Sequence, residues 1–331
     1  MTRERGRRLP RRRDRNALIA ASLTALSLTA SGCVVVHGER AVLPAATRAE
    51  AATALTAFTD AYNRADKTYD SSVDAPYVTG ALADIDSARL TAGHVNSPSG
   101  NTHHIPLALT DVHLTIPKKA GWPRWFVADA KGNKGGDFRW VLVFTRGDLG
   151  ERWQVAYLTL MAPGTVPEFT TDKDGWAEAV PADSAQLAVR PDELSRQYTA
   201  YLKSGGKGFA DSRNTSGLRA DRRKAAKRPG LVRQFIDEPL GHGDYAPLAL
   251  RTRDGGALVF FTTHHYQKQT AATGTSVPVP DKDVLALTKG EVKQSLMLES
   301  VANQAALDPP AGRGPVRVLA RVQGLTAAQG E

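Results

Sequence analysis

From residue 51 onward the apolar residues Ala51, Leu55, Phe58, Tyr62 and Ala65 recur at steps of 4, 3, 4 and 3, the spacing of one face of an α-helix. Beyond Asn101 that spacing disappears. Residues 107–116, 125–130, 138–145 and 153–161 are runs rich in aromatic and branched side chains, separated by turn-forming stretches such as KGNKGGD and RGDLGE, which predicts the strands of a meander. A change of period in that order, helices first and strands after, calls for an α+β fold with helices packed on a curved antiparallel sheet. Thr47 with Glu50 three residues later is a capping box that starts the first helix, and Val78, Leu82 and Ile85 predict a second.

The same order returns further on. Leu194, Tyr198, Tyr201 and Leu202 form a helical stripe that stops at Gly205-Gly206, a C-terminal signal. A basic segment, 213–228, follows, and strands are expected at 247–251, 257–267, 292–301 and 316–324. The tetrapeptide PLAL occurs in both halves, at 106–109 and 247–250. Such recurrence, with the length of the chain, predicts two similar α+β domains, 47–180 and 190–326, joined through a linker near 180–185. The element order resembles the cone-shaped fold of the nuclear transport factor 2 and ketosteroid isomerase superfamily. That resemblance implies a cone enclosing a pocket.

The N-terminus is of a different kind. Residues 1–16 hold eight arginines against Glu4 and Asp14, and 17–32 hold no ionisable group, the charged and apolar regions of a secretory signal. The apolar run is too short and too rich in Ser and Thr for a membrane span, which needs about 20 apolar residues. Its end, Ala30-Ser31-Gly32-Cys33, resembles the lipobox of bacterial lipoproteins. The resemblance implies that 1–32 are removed, that Cys33 carries palmitate-type acyl chains, and that 33–46 tether the body to the extracytoplasmic face of the cell membrane. Two or more acyl chains are needed for stable anchoring. Cys33 is the only cysteine in the chain, so the body is held by packing, without disulfides. With the stretch AGWPRWFVADA at 120–130, the chain resembles an uncharacterised lipoprotein family of high-GC Gram-positive bacteria.

The formal net charge of +9 and pI near 9.7 belong largely to the signal. After residue 32 there remain 35 basic and 32 acidic residues, which argues against a nucleic-acid partner. The exception is the segment holding Arg213, Arg219, Arg222, Arg223, Lys224, Lys227 and Arg228 against Asp221. Of these, Arg219 to Arg228 are the candidates for contact with anionic lipid or wall polymer; the alternative is a solvated helix face.

Residues that carry chemistry are few. Adjacent histidines on a strand point to opposite faces, so His264-His265 cannot close on one metal ion, and His103-His104 has no further ligand pattern beside it. Ser204-Gly205-Gly206-Lys207 has the SxxK spacing of penicillin-binding enzymes, but the serine ends a helix instead of opening one and no KTG occurs. No metal or other cofactor is expected. An isomerase-like site would draw on Asp60, Tyr62 and Asp66; Tyr62, Trp122, Trp125, Trp140 and Trp153 are the candidates for a pocket wall in the first domain, with packing as the alternative. The expected function is a lipid-anchored binding or scaffolding protein of the cell envelope without catalytic activity, its protein partner unknown. The alternative is a small-ligand carrier, or an isomerase- or hydrolase-like enzyme, using the first domain's pocket.

Overall fold

The computed structural model describes residues 41–331. The signal sequence and Cys33 lie outside the described residues. Thr47 caps helix α1 (Arg48–Thr68) as the capping box requires: the Glu50 amide donates to Thr47 Oγ1 at 3.1 Å and the Thr47 amide donates to Glu50 Oε2 at 2.8 Å. Helix α2 spans Gly80–Asn96, eleven residues beyond the expected Ile85, and a four-stranded antiparallel meander follows: β1 (Leu109–Thr115), β2 (Arg124–Gly132), β3 (Arg139–Arg146) and β4 (Gln154–Met161).

In the second half, α3 (Pro191–Ser204) and α4 (Leu218–Ala226) precede β5 (Leu231–Leu240), β6 (Leu248–Arg251), β7 (Ala257–Ala271), β8 (Ser295–Asp308) and β9 (Arg317–Gly330). A short helix α5, Lys282–Leu287, lies between β7 and β8. The ladder runs β5-β7-β8-β9, antiparallel throughout, and β6 pairs with the start of β7 beyond the end of β5. Strand β5 has no counterpart in the sequence expectation. Its alternation, with Val232 and Ile236 exposed, sets apolar residues on the solvent side and so hides the period-2 signal.

Residues 42–331 form one compact unit with three main apolar layers and a smaller cluster around Leu231, Ala271 and Leu296. Phe58 of α1 meets Phe144 edge-on with centroids 6.0 Å apart, and Phe144 stacks on Phe126 at 4.6 Å, filling the helix side of the first sheet. Tyr198 of α3 packs on Phe209 and Phe261 on the helix side of the second. Between the sheets lie Trp125, Val143 and Tyr157 from the first and Leu258, Phe260 and Ala305 from the second.

Helix α2 is shared by the two halves, and two glycines make that sharing possible. A Cβ on Gly324 of β9 would stand 2.4 Å from Ile85 Cγ2 of α2. At the helix start, Gly80 has φ +52°, and a Cβ there would stand 2.4 Å from the Asp244 carbonyl oxygen. Gly324→Ala should destabilise the fold by about 1–3 kcal/mol, as overpacking does. Gly241→Ala, where nothing lies within 4 Å of the added carbon, should be near neutral. Urea unfolding of both variants checks the contrast.

Candidate functional site

The junction made by α2 leaves a groove of about 780 Å³. One wall comes from the turn after α1, with Ser71, Ser72, Asp74 and Val78, and from the face of α2 that carries Asp84, Ser87 and Thr91. The opposite wall is the second sheet, with His264 of β7, Glu299 and Val301 of β8 and Thr326 of β9; Leu287 of α5 closes an end. Among the described residues no lysine or arginine lines it. His264 and Val301 are register partners, and two residues further along the same face Thr262 and Asn303 pair in turn. Asn303 is fully buried, and neither of its amide atoms has a protein partner.

Asp84 is held by the Tyr245 hydroxyl, which donates to Oδ2 at 2.7 Å, and the Thr79 hydroxyl donates to Asp244 at 3.0 Å. These bonds cross between the halves and fix the orientation of the α2 wall. Burial, reinforced by the neighbouring Asp84, pushes the Tyr245 hydroxyl up to about 12.

Behind the wall stands a buried acidic network. Arg89 donates to Asp66 at 2.6 Å and to Asp86 at 2.8 Å, and lies 5.5 Å from the Tyr62 ring centroid. Asp66 is also met by His104 Nδ1 at 2.8 Å, and by the Lys134 ammonium at 3.9 Å. Burial alone would raise the Asp66 carboxyl, but the bonds from His104 and Arg89 outweigh it and hold it low. Asp74 has no such base. It is 2% exposed, no side chain among the described residues donates to its Oδ2, and burial together with the facing Asp86 carboxyl pushes it up to about 8 against the opposing charge of Arg89. Burial likewise raises Tyr62 to about 12.

The expected isomerase groups are therefore distributed. Asp60 is exposed, Asp66 is bound up in the network, and Tyr62 is half-buried beneath Arg89. The tryptophans do not share one wall either. Trp125 is buried between the sheets, whereas Trp140 and Trp153 lie on the helix side of the first sheet, because Trp140 pairs with Ala130 and so takes the face opposite Trp125. Trp122 is half-exposed against Arg124 and Arg146. Trp153 edges a second groove, of about 510 Å³, beside α1.

The basic segment divides, by helical rotation within α4 and by position beyond its end for Lys227 and Arg228, which form a short strand. Arg223, Lys224, Lys227 and Arg228 are exposed. Arg219 turns inward over Tyr201, and Arg222 donates to both oxygens of Asp237 at 2.6 and 2.9 Å. Asp237 also binds His265 Nδ1, whose Nε2 lies 2.7 Å from Thr263 Oγ1. Burial raises Asp237, but the bonds from His265 and Arg222 outweigh it and hold the carboxyl low; burial drives His265 down to about 4. The order hydroxyl, imidazole, carboxylate is that of a nucleophilic triad, yet Thr263 is fully buried, so its hydroxyl is closed to substrate, while His265 edges a small cavity of about 200 Å³ with Arg222. The cluster ties α4 to the sheet. Among the described residues no group of three or more His, Cys, Asp or Glu gathers as a metal site, and no helix is long and apolar enough to cross a membrane. His264 faces the groove and His265 the helices, as alternation requires; His103 is exposed.

A carboxyl raised by folding binds its proton more tightly in the native state, so its contribution to stability is full at acid pH and lost as the pH climbs to the raised value. Asp74 and Asp308, the latter raised by burial to about 7, act in this sense. Stability should fall between the ordinary carboxyl range and pH 8. Asp74→Asn, which keeps the neutral shape, should reduce the fall and stabilise the protein at pH 8 by about 1–3 kcal/mol. Denaturant unfolding at a series of pH values reads both; an unchanged slope in the variant would refute the assignment.

Comparison with known proteins gives a consistent set. The family model described as a domain of unknown function (DUF8094) matches residues 42–330. An uncharacterized lipoprotein of Streptomyces coelicolor is 67% identical over 331 residues, all of both chains. Another, from Streptomyces avermitilis, is 61% identical over 333 residues, again all of both. A further Streptomyces coelicolor lipoprotein is 28% identical over 235 residues, 67% of this chain and 64% of the relative. No solved structure matches.

Proposed function

The chain belongs to the DUF8094 family, and on that premise we propose that it is a lipid-anchored binding protein of the cell envelope, displayed on the extracytoplasmic face, that holds its ligand in the groove between α2 and the second sheet. The anchor is supported by the sequence before and at Cys33 and by relatives that are named lipoproteins. The binding reading is carried by one observation. The groove, about 780 Å³ with hydroxyl, carboxyl and apolar groups converging on it, has the size and mixed lining of a small-molecule site.

The two halves share an order of helices followed by an antiparallel meander. This supports reading them as a duplicated α+β unit of nuclear transport factor 2-like type, 47–180 and 190–326. Within that reading the site lies where the units meet. The interior of the first cone is occupied by Phe58, Phe126 and Phe144, all fully buried, which favours a carrier at the junction over an isomerase in the first half.

Thermal unfolding of the protein in nonionic detergent, against a panel of lipid headgroups, wall fragments, steroids, quinones and amines, tests the groove. A ligand present at 100 times its Kd adds about 2.7 kcal/mol to the folded state. Ser87→Trp, which introduces an indole from the exposed face of α2, should abolish the shift while leaving the unliganded Tm nearly unchanged. No shift from any compound, or a shift that survives Ser87→Trp, overturns the assignment.

The exposed Arg223, Lys224, Lys227 and Arg228 supply an auxiliary attraction to anionic lipid or wall polymer, at about 1 kcal/mol per basic residue near a charged surface. Cys33→Ser should move the protein from the detergent-rich to the aqueous phase in phase partitioning. In that soluble form, changing the four basic residues to Gln should weaken binding to phosphatidylglycerol vesicles at low salt. Retention in the detergent phase, or vesicle binding indifferent to the four changes, counts against the respective part.

A further inference from the structure

The point at which the chain enters the fold limits which face can meet a membrane. Leu43 and Pro44 pair with Lys119 and Lys118, so the fold takes hold of the chain ten residues after Cys33. Fully extended, ten residues span about 35 Å, whereas a body of this length is about 50 Å across. A lipid on Cys33 therefore keeps the end around Leu43 near the bilayer, and groups on the far side cannot reach it.

That end is built from cations laid on aromatic rings. Arg124 donates to the carbonyls of Leu43 at 3.1 Å and Lys119 at 2.6 Å, and its guanidinium lies 5.6 Å from the Trp122 ring. Arg146, its register partner on β3, lies 5.6 Å from the same ring and 4.6 Å from that of Trp153. There the groove of about 510 Å³ begins, with Arg152 over Tyr77 on its wall at 5.5 Å. Exposed apolar side chains flank the run, Leu43 opposite Lys119 and Leu149, 79% exposed, on the loop between Arg146 and Arg152.

The protein does not close the charge of this face. Arg124 and Arg146 stand directly opposite each other on neighbouring strands, where like charges repel. Among the described residues Lys119, Arg124 and Arg152 meet no carboxylate within 4 Å, and Arg146 meets Glu50 only at 3.9 Å. Burial, with Arg124 beside it, lowers the Lys119 ammonium. With Arg48, 5.0 Å over Trp176, five cations face three carboxylates, and each of those already accepts from a backbone amide: Glu50 from Thr47, Asp148 from Gly150 and Glu151 from Gly147.

Resting on the anchor at Cys33, we infer that this is the face the body sets on its own membrane, with Trp122 and Leu149 at headgroup level and an anionic phospholipid headgroup drawn into the groove by Arg146 and Arg152. Tryptophan and tyrosine favour the membrane–water interface, and a guanidinium pairs with phosphate in a fixed two-point geometry. A soluble anion would use the arginines but not the exposed Leu43 and Leu149 beside them. A zwitterionic surface would use the rings and leave the excess cations uncompensated.

Two measurements test this. In vesicles of phosphatidylglycerol and phosphatidylcholine, bromine on the acyl chains close to the headgroup should quench the tryptophan emission of the lipid-anchored full chain, and Trp122→Phe should remove most of that quenching. In the Cys33→Ser form, Arg146→Gln with Arg152→Gln should weaken binding to phosphatidylglycerol vesicles at low salt at least about tenfold, and phosphatidylcholine vesicles should bind more weakly than phosphatidylglycerol ones. Leu149→Asp should weaken binding too with the Tm unchanged, which separates loss of the face from loss of the fold. No quenching in protein that partitions with detergent, equal binding to the two lipids, or binding indifferent to these variants overturns the face and leaves the anchor. A Cys33→Ser protein that still partitions with detergent overturns the anchor, and the face with it.

Discussion

The close approach of α2 to the second sheet is the contact on which the rest depends. Ile85 lies against the backbone of Gly324, and the helix start is pressed on the Asp244 carbonyl at Gly80. Interiors are packed to crystal density, so Gly324 fixes how closely α2 approaches the sheet, and Gly80 how closely its start approaches the turn at 243–245. Further along, where Ser87 and Thr91 replace larger residues, the same helix stands clear of the sheet and the groove opens. One helix therefore builds the junction and the cavity beside it. The Tyr245–Asp84 bond is the polar complement of that packing, since it orients a groove carboxylate from the other half.

Much of the local structure is written in the sequence. The 4-3-4-3 stripe of α1 buries Ala51, Leu55, Phe58 and Ala65, with Tyr62 half-buried at its edge. The four runs after Asn101 become β1 to β4 with ends shifted by a residue or two. Helix α1 buries one face, and β2 to β4 are buried on both, so the strands read as short continuous apolar runs between turns. Strand β5 escaped because its exposed positions are Val232 and Ile236, whereas its inward Asp237 is polar and serves Arg222 and His265. A strand that carries an ion pair inward and aliphatic residues outward inverts the expected pattern.

The site is less legible, for a geometric reason. Asp74 and Asp84 are separated from Glu299 by more than two hundred residues, and no spacing rule relates them. The tryptophans mislead in the opposite direction, being close in sequence but divided by strand alternation, which puts Trp125 and Trp140 on different faces. In the basic segment, adjacent Arg222 and Arg223 are about 100° apart around the helix, which is enough to send one to Asp237 and the other to solvent. Composition records the same charge for both. Only the packing of α4 on β5 distinguishes an ion pair from a surface patch.

The acidic network behind α2 has an unbalanced charge count. Asp66 is compensated by Arg89, His104 and Lys134, and Asp86 by Arg89. Asp74 is compensated by a proton, at the expense of stability as the pH rises towards 8. An asparagine at 74 would satisfy the same shape without that loss. A chain that keeps the acid where the amide would be more stable departs from local consistency at one place, and such departures are concentrated at functional sites. Asp74 is 2% exposed and lies against the Asp86 carboxyl, so the proton that neutralises it is held inside the network and not at the surface.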